Sequence, residues 1–188
     1  MEAMTDQPEM SPLTEPEREW VRVRRDFAAQ EGVDHLDLDA VAAYYDAVLA
    51  RSQAEAEELD PEELAVLLDV VAVLLGEHLG ARHGMQWVTV ADEEGPALAL
   101  RDTLSDAVVF PQPVVGQSWN HQATGEWMGG YVDWLGEQLQ QRGGLALVHA
   151  VQGGGEAVGA GLAAHGNPPG CRAAPDRMPG ASSAATPP

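Results

Sequence analysis

The sequence predicts an α+β fold in which N-terminal helices, one of them central and buried, pack on a small antiparallel sheet of three to four strands. One further C-terminal helix and a disordered tail complete the prediction. Apolar residues recur at helical spacing up to Gly84 and then alternate at strand spacing from Met85. From Gly143 onward Gly, Pro and Ala dominate and this periodicity is lost.

The chain of 188 residues is long enough for one domain with a substantial core. We expect a disordered leader at 1–13, a single acidic domain at 14–142 and a mostly disordered tail at 143–188. Within the tail, the short apolar stretch 145–151 either adds a strand, docks on the core or remains part of the tail.

Two amphipathic helices open the predicted domain. Thr14 and Glu17 have the spacing of a capping box, and Trp20, Val23 and Phe27 share one face of a helix that Gly32 ends. A second helix is capped by one of two acids and runs to about Ser52. Its predicted caps are Asp37 or Asp39, and its predicted inward residues are Val41, Tyr45, Val48 and Leu49.

A third helix forms the predicted centre of the fold. Asp60 and Pro61 are typical of a helix start, and Gly84 of a helix end. Between residues 64 and 75 the apolar residues run almost all the way round, broken by Asp69, so other elements must cover the helix on every side.

The sheet follows directly. Residues 85–90 and 97–101 predict a hairpin with an acidic turn, and 107–110 predict a strand that Pro111 ends. We expect 114–125 to be irregular. A last helix from about 126 to 141 carries aromatic residues at helical spacing, namely Trp127, Tyr131 and Trp134.

Charge and composition exclude several function classes. The net charge is −20, and since the tail is neutral, 8 Arg and 28 acids are concentrated in residues 1–142. Such a surface disfavours nucleic acid and membranes, because both are bound through cations. The chain has no lysine, which removes Schiff-base and Walker-type chemistry, and its codon usage is expected to be that of a GC-rich bacterium.

The single cysteine, Cys171, leaves no disulfide framework and no cysteine zinc site. The acidic N-terminus lacks the features of a signal peptide, and the longest apolar run is too short for a membrane span. We therefore expect a cytoplasmic protein without a cofactor.

Candidate catalytic residues are few. His78 and His83 are five residues apart, which turns the second imidazole about 140° from the first, so a shared metal requires another ligand such as His121. Ser118 lacks the Gly-x-Ser-x-Gly elbow of a hydrolase. The acids Asp34, Asp37 and Asp39 lack the other residues of a calcium loop, and helix capping explains them better.

Aromatic and acidic residues provide a candidate partner surface. Tryptophans follow the last strand closely, and they either seal the core or bind a partner, with Trp119 expected to be the most exposed. The predicted partner-binding residues are Trp119, His121, Glu93, Glu94 and Trp127.

Within 74–139, a helix ends at Gly84 and is followed by Trp87-Val88, the turn 92–95, the strand 97–100 and Phe110-Pro111. In these features the region resembles a family of uncharacterised bacterial α+β domains of unknown function. The resemblance implies a fold and no activity; in outline such domains are similar to small secretion chaperones and immunity proteins.

We therefore predict a non-enzymatic protein-interaction module with a basic protein partner, or alternatively a homodimer. The competing prediction is a metal-assisted enzyme that uses His78, His83 or His121.

Overall fold

The computed structural model describes residues 9–55, 59–92 and 95–151. These residues form four strands and five helices, which confirms the α+β class. The strands are β1 (Glu9–Pro12), β2 (Gln86–Asp92), β3 (Gly95–Arg101) and β4 (Val108–Val109). The helices are α1 (Glu15–Gln30), α2 (Leu38–Ala54), α3 (Pro61–His83), α4 (Pro111–Asn120) and α5 (Trp127–Val151).

The sheet is antiparallel throughout, with the strand order β1-β2-β3-β4. The predicted hairpin is confirmed: β2 pairs with β3 from Gln86 opposite Arg101 to Asp92 opposite Gly95. Its turn residues, Glu93 and Glu94, lie outside the described residues.

Strand β1 corrects the predicted leader. Residues 9–12 pair with 88–91 of β2 and form an edge of the sheet, although their sequence is short and polar. The strand ends at Pro12, which lacks an N–H donor and is tolerated at an edge. Residues 1–8 lie outside the described part of the chain.

Helix α1 begins as predicted, with the Thr14 amide and hydroxyl both donating to the Glu17 carboxylate at 2.6 Å. Of its predicted apolar face only Trp20 packs inward, against the buried Val21 and Val73. Val23 and Phe27 are 48% and 41% exposed, while Val21 and Ala28 are buried.

Two arginines explain the error. Arg24 lies 3.0 Å from Asp69 and Arg25 lies 3.2 Å from Glu77, so both turn toward α3. Because long cationic side chains occupy the inner face of α1, the position of its apolar residues does not report which face is buried.

Helix α2 confirms its prediction. The Asp37 side chain accepts hydrogen bonds from the amides of Asp39 and Ala40, and the four predicted inward residues are buried. Helix α3 contacts α1, α2, α4 and β2, as a central helix must. Its burial on all sides begins at Val70, however, and the predicted start at residue 64 is too early.

Among the described helices, α3 is long and apolar enough to cross a membrane, with a mean hydropathy of 1.9 over its most apolar window. Half of that window is buried inside the protein. The core helix of a folded domain has the same length and composition, and the contacts of α3 are those of a core helix.

The region after the sheet differs most from the prediction. Strand β4 is shorter than the predicted 107–110, and Pro111 not only follows the strand but starts α4, so 114–120 is helical and only 121–125 is irregular as predicted. Proline fits the first turn of a helix because the N–H groups there have no intrahelical partner. Helix α5 continues ten residues past the predicted end, which makes 145–151 helical; the chain from 152 lies outside the described residues.

Candidate functional site

A cleft of about 530 Å³ opens between the N-terminal end of α2, the second half of α3 and the first half of α5. It joins chain segments that are far apart in the sequence, since the loop before α2 faces residues of α5. Its walls are formed by Asp34, Leu36, Asp37, Leu38, Asp39, His78, Arg82, Gly129, Val132 and Asp133.

The acidic wall of the cleft is held by local hydrogen bonds. Asp37 caps α2, which confirms the capping interpretation at that position. Asp34 Oδ1 accepts a hydrogen bond of 2.9 Å from the amide of Leu36. This bond shapes the loop so that Leu36 stands 58% exposed among the carboxylates.

Two histidines of α3 connect the walls. His78 is buried, and its Nδ1 lies 3.1 Å from the carbonyl oxygen of His35 in the loop before α2. His83 Nε2 lies 3.2 Å from the carbonyl oxygen of Val132 on α5. The histidines therefore reach different elements, as their spacing predicts, and each one helps to position a wall.

His83 gives the domain a pH dependence. Burial lowers the pKa of His83 below its ordinary value of 6.5, so the unfolded chain takes up this proton more readily than the folded one. The folded state therefore loses stability as the pH falls below about 6.5. Urea denaturation between pH 7.5 and 5 should show this loss, with a smaller pH slope in His83→Gln, which keeps a donor for Val132; equal slopes would contradict it.

The charge of the cleft is negative. Asp34, Asp37, Asp39 and Asp133 contribute four carboxylates, and Arg82 is the fixed cation among the lining residues. Its guanidinium lies 3.4 Å from Asp133, and both side chains are largely exposed. The cleft thus retains an excess of negative charge beside the apolar Leu36.

The histidines proposed for an enzyme lie at two helices, His78 and His83 on α3 and His121 after the end of α4. His121 is exposed at the C-terminal cap of α4, while Ser118 is buried in that helix. Across the described residues, no group of three or more His, Cys, Asp and Glu side chains is placed to hold a metal ion.

The predicted partner-binding residues do not form one surface within the described chain. Trp119 is half-buried and Trp127 is buried, and both rings contact Tyr45 edge-on, with centroids 5.9 and 6.1 Å away. The row of rings continues through Tyr131 to Trp134. These tryptophans mainly seal the core, and His121 is the exposed member of the predicted set; Glu93 and Glu94 lie outside the described residues.

Some of the residues that line the cleft were recognisable in the sequence as candidates, and others were not. The close spacing of three acids in the sequence, Asp34, Asp37 and Asp39, made them candidates. His78 was a candidate because it is a histidine. Nothing in the local sequence of Leu36 or Asp133 indicates that the two line one cleft, because the fold alone brings the loop before α2 to α5.

Residues 46–131 match the family model DUF3806, a domain of unknown function. The match confirms the predicted resemblance to a domain of unknown function, with which it shares residues 74–131. The DUF3806 region begins inside α2 and ends inside α5, so it includes His78 and Arg82. The acidic loop 34–39 precedes it. No curated protein and no solved structure matches the chain.

Proposed function

We propose that this domain is a non-enzymatic module that binds a positively charged segment of a partner protein in the acidic cleft. The observation that carries the proposal is the arrangement of four carboxylates around the exposed Leu36, with Arg82 already paired to Asp133. An arginine or lysine next to an apolar residue would complement both features.

The bonding of the cleft supports binding over catalysis. Asp37 is used as a helix cap, and His78 and His83 each bond a main-chain carbonyl. Side chains that hold walls in place create a preformed surface, which lowers the conformational cost of binding.

The negative charge of the whole domain also favours a positively charged partner. The excess of 20 acids in residues 1–142 creates a negative field that attracts cations from a distance and accelerates their association. The field acts at long range and cannot select a site, so selectivity must come from the cleft.

A fluorescent peptide that alternates arginine and leucine is a suitable probe. Its affinity should fall about five- to thirtyfold in the double variant Asp39→Asn/Asp133→Asn, since each carboxylate contributes roughly 0.5–1 kcal/mol. Leu36→Ala should weaken binding even at high salt, where the charges are screened. Fluorescence anisotropy at low and high salt measures both effects.

The matched control is Glu15→Gln/Glu126→Gln, which removes the same charge from exposed positions outside the cleft lining. An equal loss of affinity in both double variants would reduce the binding to general electrostatics and reject the cleft. Stoichiometric zinc or manganese in the purified protein, with activity that depends on His78 or His121, would favour the metal-assisted enzyme instead.

A further inference from the structure

A second hollow of about 440 Å³ lies on another side of the domain, between the starts of α1 and α4 and the strand β3. Its lining is unlike that of the acidic cleft. Apolar and proline side chains dominate, with one carboxylate and one amide at the margin, namely Pro16, Trp20, Pro96, Leu98, Glu17 and Gln112.

The central ring of this Trp20 groove is fixed in place. The guanidinium carbon of Arg24 lies 3.6 Å from the centroid of the Trp20 ring. Arg24 also contacts Asp69, and the Gln112 side chain donates to the same carboxylate at 2.8 Å. The ring is therefore held between charged and apolar neighbours before any ligand arrives.

The carboxylate at the margin is fixed as well. Hydrogen bonds from the hydroxyl and amide of Thr14 hold Glu17 in place and keep the pKa of its carboxyl below the usual value. The Trp20 groove thus presents a rigid aromatic ring, two prolines and a negative charge. Grooves lined by aromatic residues bind proline-rich segments in the extended polyproline conformation, which loses little entropy on binding.

We propose that the Trp20 groove binds the chain's own segment 167–179. This segment reads Asn-Pro-Pro-Gly-Cys-Arg-Ala-Ala-Pro-Asp-Arg-Met-Pro, with four prolines and a net charge of +1. Arg172 and Arg177 are the cations of the tail beyond residue 142, and the domain that they would meet carries the whole negative excess. The prolines of the segment would pack on the Trp20 ring, and an arginine would form an ion pair with Glu17.

The length of the connection allows this contact. Fifteen residues, 152–166, separate Val151, the end of α5, from Asn167, and an extended chain of that length spans about 50 Å. A domain of this size has a radius of gyration of about 14 Å, so a connection of this length reaches most of its surface. The tether also keeps its effective concentration high, so a weak contact is well populated.

The single cysteine makes the proposal testable in the full-length chain. Cys171 lies inside the segment, and a nitroxide attached to it broadens the NMR signals of nearby protons. We expect loss of the Trp20 indole N–H signal, with the signal of Trp134 retained, because Trp134 lies on α5, which contributes no residue to the lining of the groove. Equal attenuation of all indole signals, or none, would overturn the proposal.

Tail variants test the chemistry without disturbing the groove. Replacing Pro168, Pro169 and Pro175 with alanine, or Arg172 and Arg177 with glutamine, should restore the Trp20 signal. The matched control is Pro187→Ala/Pro188→Ala, which lies outside the segment and should leave the loss unchanged. An unchanged loss of signal in the proline and arginine variants, or restoration by the control, would contradict the proposed contact.

A mixed sample separates this contact from one between two copies. Spin-labelled chain without ¹⁵N is added to ¹⁵N chain carrying Cys171→Ser, which accepts no label. Retention of the Trp20 signal in this mixture, together with its loss in the singly labelled chain, supports binding within one chain. Loss in the mixture would overturn it in favour of exchange between copies.

Discussion

Replacing Leu75 with alanine is expected to lower the free energy of unfolding by about 3–5 kcal/mol. Leu75 is fully buried near the middle of α3, the helix that contacts α1, α2, α4 and β2. Leu75 belongs to the main buried cluster, which contains residues of α1, α2, β3, α4 and α5, so filling a cavity there would require several elements to move inward. Urea denaturation of the variant and the parent measures the difference.

The control is Leu104→Ala, which makes the same chemical change at a side chain that is 79% exposed. We expect the free energy of unfolding to change by no more than about 0.5 kcal/mol there. A cost below about 1 kcal/mol for Leu75→Ala would show that α3 is not the centre of the core.

The central position of α3 was predictable because its apolar residues leave no polar face. The partners of Asp69, the charged residue in that helix, were not predictable. Its carboxylate meets Arg24 of α1 and Gln112 of α4, which are 45 and 43 residues away. A local pattern identifies a charged residue in an apolar run, whereas only the fold supplies the partners that make its partial burial tolerable.

The local sequence was also insufficient to predict β1 and α4. Residues 9–12 form a strand because β2, more than 70 residues later, offers a free edge, and their own composition gives no such indication. Pro111 is compatible with two predictions, since proline can end a strand and can also begin a helix. In the structure the proline follows a strand and begins a helix, and only the end of the strand was predicted.

The acidic cleft shows how much of a site such patterns reveal. Asp37 was predictable as a helix cap from its spacing to the apolar residues of α2. Its second role, as one wall of a cleft with Asp133, depends on how α5 packs against α2 and α3. Residue types therefore indicate which side chains are candidates for a site, and long-range packing decides which of these side chains line the same cleft.

Replacing Gly125 with alanine is expected to lower the free energy of unfolding by about 3 kcal/mol. A Cβ at this position would lie 2.5 Å from the carbonyl oxygen of Ala42 and 2.9 Å from its Cα. These are backbone atoms of α2, so no side chain can rotate away to make room. The Gly125 amide also donates to Asp46 at 2.7 Å, which fixes the loop against α2.

Gly116→Ala is the matched control, because a Cβ there meets no atom within 4 Å. In the middle of α4 alanine should raise stability by up to about 1 kcal/mol. The two variants should also differ in function. Gly125 lies two residues before α5, so its displacement moves the wall that contains Val132 and weakens binding of the arginine–leucine probe, whereas Gly116→Ala leaves it intact. Unchanged stability and probe affinity in Gly125→Ala would show that the α4–α5 loop does not position the cleft.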